Sequence, residues 1–227
     1  MATYDPALSE SAVPDTDVVL PLRMTEEEFV AWCDEDTRAE WVDGEVVMMS
    51  PMNDPHSDVV VWLGSLLQVF VEQHDLGVVR PEMQTRLPKL RRRRVPDLWF
   101  VAKDRVGLIR RTHLEGPPDL AVEIVSPDSE ARDWREKYLE YEAAGVREYW
   151  VIDPASSHME AYALVAKDSQ TAEPPASHYR RLPEDHGVIT SSVLPGFRLR
   201  VAWLWPETRV KVLEALSELG VPGTPAP

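Results

Sequence analysis

The sequence holds a single cysteine, Cys33, in 227 residues. That excludes an internal disulfide framework and a thiolate metal cluster. Cys33 itself falls in an amphipathic helical pattern, as a small buried hydrophobe. Long apolar runs are missing too: no stretch approaches the roughly 20 residues needed to span a bilayer. The opening "MATYDPALSESAVPDTDVVLPLR" is acidic and lacks the basic and apolar regions of a signal peptide. A soluble, cytoplasmic protein without a membrane segment is therefore expected. Positive charge is scarce. Asp and Glu number 39 against 24 Lys and Arg, a formal net charge of −15. Broad electrostatic attraction to nucleic acid is excluded, and only a local basic surface remains for it.

What is present is a core. Hydrophobic residues make up 44% of the chain and eight are Trp, enough for one substantial α/β domain at this length. Residues 1–22 have no hydrophobic period and are expected to form a disordered arm. Residues 23–220 form the single domain, and "VPGTPAP" (221–227) a disordered tail. Thr25 to Glu28 has the form of a capping box that opens a helix through Phe29 and Trp32. "AEWVDGEVVMMS" predicts a hairpin turning at Asp43-Gly44. From Pro55, Val59, Leu63, Leu66, Leu67 and Phe70 fall on one broad helical face, closed by Gly77. Strand-like runs follow at about 78–87, 95–102 and 119–126. A helix capped by Ser129 is expected to run to Gly145, before a strand in "REYWVIDP" and an antiparallel continuation in "HMEAYALV". A loop over 167–178, a strand near 188–193 and a last helix from Glu207 to Gly220 complete the pattern. Strands and helices in this order predict a small mixed β-sheet flanked by helices.

One strand poses a problem. "PDLAVEIVSPDS" is apolar enough to be buried on both faces, yet Glu123 sits in its middle. An unpaired buried carboxylate costs several kcal/mol, so either a structural arginine or a metal ion must face it. Asp97 stands near the start of the preceding strand, "VPDLWFV", and Lys137 in the following helix. If the two strands are neighbours, two carboxylates converge at one end of the sheet. They would form an open oxygen shell of the kind Mg²⁺ prefers, with a lysine to balance negative charge. No piece is specific alone: Pro-Asp occurs four times in the chain. Asp119 and Asp153 border strands as caps, and Trp99 and Trp150 alternate as core residues. The basic run "LPKLRRRRVPD", with Lys89 and Arg91 to Arg94, is either a solvated loop or a set of phosphate contacts beside the site.

"RVPDLWFV", "GPPDLAVEIVSPDS" and "RDWREKYLEYEAAGVREYWVIDP", preceded by "MTEEEFVAWCDEDTRAEWVDGEVVMMSP", closely resemble the Uma-type branch of the PD-(D/E)XK nuclease superfamily over residues 24–165. The resemblance implies a restriction-endonuclease-like core and a Mg²⁺- or Mn²⁺-dependent endonuclease acting on nucleic acid, DNA first. It maps the metal ligands onto Asp97, Glu123 and the carbonyl of Ile124. The superfamily places a lysine two residues after the second acid, where this chain has Val125. The branch carries it in the next helix, at Lys137. Glu40 and His56 match recurrent accessory positions, each with an exposed surface residue as the competing reading. Tyr141, one turn after Lys137, either orients it or is a core aromatic. Arg91, Arg92, Arg93 and Arg94 would contact nucleic acid. The resemblance also implies a homodimer, to which Val210, Val212, Leu213, Leu216 and Leu219 of the last helix would contribute unless they close the core. The rival is a nuclease-like fold that binds nucleic acid or a protein partner without cutting.

Overall fold

The computed structural model describes residues 21–34, 36–126, 132–166 and 177–221. Helix α1 (Glu26–Trp32) starts at the expected capping box, with both Thr25–Glu28 hydrogen bonds made. Strands β1 (Ala39–Val42) and β2 (Glu45–Met48) form the hairpin. Asp43 and Gly44 both have positive φ, 51° and 92°, the backbone that a tight two-residue turn demands and that Gly tolerates freely. Helix α2 (Asp54–Gln73) is capped by Asn53, whose side chain accepts from the His56 N–H. It ends at His74, and Gly77 instead begins the next strand.

That strand, β3 (Gly77–Pro81), and β4 (Gln84–Leu87) split the single run expected at 78–87. The break falls at Glu82, where φ turns positive, and the two halves join different sheets. There follow β5 (Arg92–Arg94), β6 (Leu98–Ala102), β7 (His113–Glu115) and β8 (Leu120–Ile124). After a π-helical turn over Arg132–Glu136 comes α3 (Lys137–Ala144), stopped by Gly145 in the left-handed conformation. The expected cap, Ser129, lies outside the described residues. Next are β9 (Glu148–Asp153), β10 (His158–Ala166), β11 (Ser177–Arg181), β12 (Glu184–Asp185), β13 (Val188–Thr190) and β14 (Arg198–Arg200). The last helix, α4 (Val212–Glu218), is shorter than expected. Arg209 ties down the Trp203 and Leu204 carbonyls and holds the preceding residues in a turn.

Six strands form the central mixed sheet, in the order β11-β10-β9-β8-β6-β3. Only β8 and β9 are parallel, and α3 crosses between them. The neighbours β6 and β8 run antiparallel, with Leu98 opposite Val122. The second sheet, β2-β1-β5-β4-β7, has five short strands, and β12-β13-β14 form a third. None of β4, β5, β7, β11, β12 or β14 is apolar enough to stand out from its neighbours in sequence. The fold is thus an α/β one built of mixed sheets and flanking helices.

Period two along β8 decides where the site lies. Leu120, Val122 and Ile124 face the main core with α2, Trp150 and Ile152. Ala121 and Val125 face the other way, toward Tyr141, Tyr149 and Val151. Glu123 shares that second face, the one covered by α3. On the first face α2 lies close: a Cβ at Gly64 would come 3.1 Å from a Leu98 methyl. This approach brings the N-terminal turn of α2 to the start of β6. Helix α4 closes the same core through Leu216, with Val210, Val212 and Leu219 packed against it. Its one largely exposed apolar side chain is Leu213, so little of this face is left for a second subunit.

Of the expected termini, Leu22 accepts a backbone bond from Val46 and Val221 is buried in the core. Residues 1–20 and 222–227, and most of the 167–178 loop, lie outside the described residues. Among those residues no helix is long and apolar enough to cross a membrane.

Candidate active site

Asp97 stands where β5, after Val95 and Pro96, passes into β6. Glu123 is the penultimate residue of β8, beyond the last pair of β6 with β8, and α3 begins at Lys137. The three meet around a small recess of about 60 Å³, lined also by Glu40, His56, Ile124 and Asp133. Asp97 and Glu123 are 5% and 2% exposed. The two strands are neighbours, and the convergence expected from the sequence is present.

Each carboxylate is gripped at both oxygens. Asp97 Oδ2 accepts from the Ile124 N–H at 2.6 Å, and Oδ1 lies 2.9 Å from His56 Nε2. Glu123 Oε2 accepts from Lys137 Nζ at 2.7 Å, and Oε1 from the Tyr141 hydroxyl at 2.6 Å. Lys137 Nζ also lies 3.1 Å from Asp133 Oδ1 and 3.6 Å from Glu40 Oε1. The Asp133 contact pairs charge without hydrogen-bond geometry: among the described residues that oxygen has no hydrogen-bond partner, and neither has buried His56 Nδ1.

Behind this recess is a second ionic cluster. Glu40 on β1 accepts from Arg94 Nη1 at 2.6 Å and from the Val95 N–H at 3.0 Å. Arg94, 1% exposed, donates twice more to Glu140 on α3. The structure therefore departs from the picture of Arg91–Arg94 as a solvated loop or an exposed basic run. Arg92–Arg94 is a sheet strand, and alternation and sheet packing fold three of these side chains into ion pairs. Arg92 pairs with Glu140, Arg93 with Glu26, and Arg94 with Glu40 and Glu140. Only Arg91 stays mostly exposed, beside Asp43. Glu40 and His56 are buried rather than exposed. Tyr141 is both a core residue and a site residue, and its hydroxyl contacts Glu123 rather than Lys137. Asp119 is a buried hub for Ala102 N–H, Arg105 and Arg147. Asp153 caps its turn. Neither lines the recess. Asp133 was not anticipated, although its place four residues before Lys137 puts the two on one helical face.

The electrostatics are uneven. Burial lifts the Glu123 carboxyl well above its ordinary range; Lys137 pulls it down, while Asp133, Asp97 and Glu40 push it further up. Burial opposes the charge on Lys137, yet Asp133, Glu123 and Glu40 together raise its pKa. Burial, then the charge of Glu123, pushes the Tyr141 phenol well up. Lysine and tyrosine thus stay protonated, as donors. Glu40, Asp97, Glu123 and Asp133 share the recess with Lys137 and with Arg38, itself paired with Glu82, and Arg94 stands behind Glu40.

The donor set fits a hard divalent cation. Two carboxylates, with Ile124 beside them in the lining of the recess, are the kind of donors found in the open oxygen shell of Mg²⁺, and each gripped oxygen keeps a second lone pair. The surplus of acid over base is what a dication offsets. Among the described residues no group of three or more His, Cys, Asp and Glu side chains is placed to hold a metal ion by itself.

The sequence profile of the Uma2 family, described as putative restriction endonuclease, matches residues 26–202. The chain belongs to the Uma2 family. Its structure is similar to the 1.96 Å crystal structure of a putative nuclease of the DUF820 family from Anabaena variabilis ATCC 29413. The TM-score is 0.65 and the identity 18%, over 80% of this chain and 97% of that one. No curated protein matches. Family and fold are nuclease-like.

Proposed function

We propose that this Uma2 chain is a divalent-metal-dependent endonuclease that hydrolyses phosphodiester bonds of nucleic acid, with DNA the first substrate to test. The observation that carries the reading is the meeting of Asp97, Glu123 and Lys137 in one recess with more acid than base. Asp97, Glu123 and the Ile124 carbonyl would hold the cation. When bound, Mg²⁺ or Mn²⁺ supplies positive charge at the phosphoryl group and acidifies water.

The other roles follow from protonation. Lys137 keeps its proton, so it is not the base. It serves as a fixed cation that orients the phosphate or the attacking water and stabilises charge developing in the transition state. Tyr141 and Lys137 hold Glu123 in one rotamer, and His56 with the Ile124 N–H does the same for Asp97. Preorganised donors of this kind spare reorganisation when charge moves. In the reaction, the water oxygen bonds to phosphorus as the P–O bond to the leaving oxygen breaks; the water gives up a proton to solvent and the leaving oxygen takes one from solvent, giving a phosphomonoester and an alcohol.

The test is cleavage of supercoiled plasmid, linear duplex, single-stranded DNA and RNA with Mg²⁺, Mn²⁺ or EDTA, beside folded Glu123→Gln and Lys137→Ala. Cutting that needs metal and is lost in both variants supports the reading. A wild type that binds neither Mg²⁺ nor Mn²⁺ by calorimetry overturns it in favour of a non-cutting binding module.

A further inference from the structure

A second cavity, a groove of about 1050 Å³, adjoins the catalytic recess. Arg38 and Met49 line both, so the groove leads out of the site. Its lining mixes apolar and cationic side chains. Val30, Met49 and Met83 are apolar, and Val30 is half exposed. Arg38 and Arg111 add positive charge, with Thr37 and Thr112 next to them in the chain. Arg38 is shared with Glu82, and Arg93 in the groove is spent on Glu26. Arg111 has no ion-pair partner among the described residues and is exposed. Asp34 is the groove's remaining acid.

We propose that this groove carries an unpaired nucleic-acid strand into the recess, and so that the substrate is single-stranded or locally unpaired. The proposal rests on the nuclease reading above. The reacting acids line a small recess and are more than nine-tenths buried. A duplex is stiff, with a persistence length of about 50 nm, and its base faces are stacked out of reach. An unpaired strand can bend into the recess and set its bases against the apolar side chains of the groove while Arg38 and Arg111 contact its phosphates. In a chain of net charge −15, a free arginine among apolar side chains, in a groove that meets the site at Arg38 and Met49, matches that ligand.

Cys33, the only cysteine, lines this groove and reports on it without catalysis. Maleimide alkylation of Cys33 is timed with a labelled single-stranded oligonucleotide, with the matching duplex, and with neither, in EDTA and again with Ca²⁺. Binding is followed in parallel by fluorescence anisotropy. The single strand is expected to slow alkylation several-fold and the duplex not to. Arg111→Glu should weaken single-strand binding by about tenfold and remove the protection, whereas Arg198→Glu, the same charge change on exposed β14 outside the groove, should leave both intact. Single-strand binding without protection, equal protection by duplex, or no single-strand binding in either buffer overturns the groove. Cleavage by wild type with Cys33 unprotected would sink the groove and spare the nuclease. Protection without any cleavage would do the reverse.

Discussion

Glu40 and Glu123 are both glutamates in strands, both almost wholly buried, and both within reach of Lys137 Nζ. Their chemistry is opposite. Burial alone would lift the Glu40 carboxyl, but Lys137, Arg94 and the Val95 N–H hold it at about 2. Glu123 has the same lysine and no arginine, and it faces three further acids, so it is pushed up instead. Depth is therefore no guide to role; the balance of charge around each carboxylate is. Glu40 completes an ion cluster that joins β1, β5 and α3. Glu123 is left short of positive charge, and that shortfall is what a substrate-loaded metal can use. Glu148 makes a third case. It is buried too, but its partners are Trp150 Nε1, Ser192 and the Val193 N–H. Neutral donors pin a loop there, and no acid excess arises.

The sharpest way to break the comparison is to neutralise each glutamate and follow cleavage. Glu123→Gln should lower metal-dependent cleavage by about 10³-fold, the scale of a lost transition-state contact. Glu40→Gln, assayed where it is still folded, should cost less than about tenfold. Equal losses would move Glu40 into the catalytic set and dissolve the distinction.

Stability should reverse the order. Glu40→Gln strips Arg94 of the more deeply buried of its two carboxylate partners and should cost roughly 3 kcal/mol in denaturant unfolding. Glu123→Gln, measured in EDTA, should cost nothing and gain up to about 1 kcal/mol, since it removes like-charge repulsion while Lys137 keeps Asp133 and Glu40. A strong loss in Glu123→Gln would mean that the Lys137 pair is structural.

The pH dependence sharpens the same contrast. The folded Glu40 value, about 2, lies below its ordinary 4.5. Its stabilisation is complete above 4.5 and is lost as pH falls toward 2. Acid unfolding of Glu40→Gln should accordingly be flatter than wild type across that window. Glu123 is raised, so in EDTA its ionisation takes stability away as pH climbs above 4.5, and Glu123→Gln should lack that decline.

These contrasts were only partly legible in the sequence. The strands β6, β8 and β9 are runs dense in Val, Ile, Leu and Trp, and such runs declare themselves. So do the Asp-Gly hairpin and the long apolar face of α2. The five-stranded sheet does not: Arg92–Arg94 and His113–Glu115 are strands because of the partners they meet, and charged triplets carry no strand signal. Within the site, Asp97, Glu123 and Lys137 could be named from order and spacing. Glu40 and His56 had been open between surface and site, because only the fold shows which strand lies behind them. Arg94 is the instructive case. Four consecutive arginines suggest a binding surface, yet alternation and sheet packing bury two of them.

The smallest effect concerns the hydroxyl that touches Glu123. Tyr141 is wholly buried against Tyr149 at 5.2 Å between ring centroids, so Tyr141→Phe keeps the packing and deletes one hydrogen bond. If Tyr141 were only a core aromatic, stability would shift by about 1 kcal/mol and cleavage would not change. If it holds Glu123, removal leaves one carboxylate oxygen without its protein donor. The variant should then cut about tenfold more slowly, with loss of turnover rather than of substrate binding. Metal affinity by calorimetry separates the causes. Unchanged affinity with slower cutting means the hydroxyl aims the carboxylate, whereas tighter metal binding would mean it had been competing with the cation for the same lone pairs.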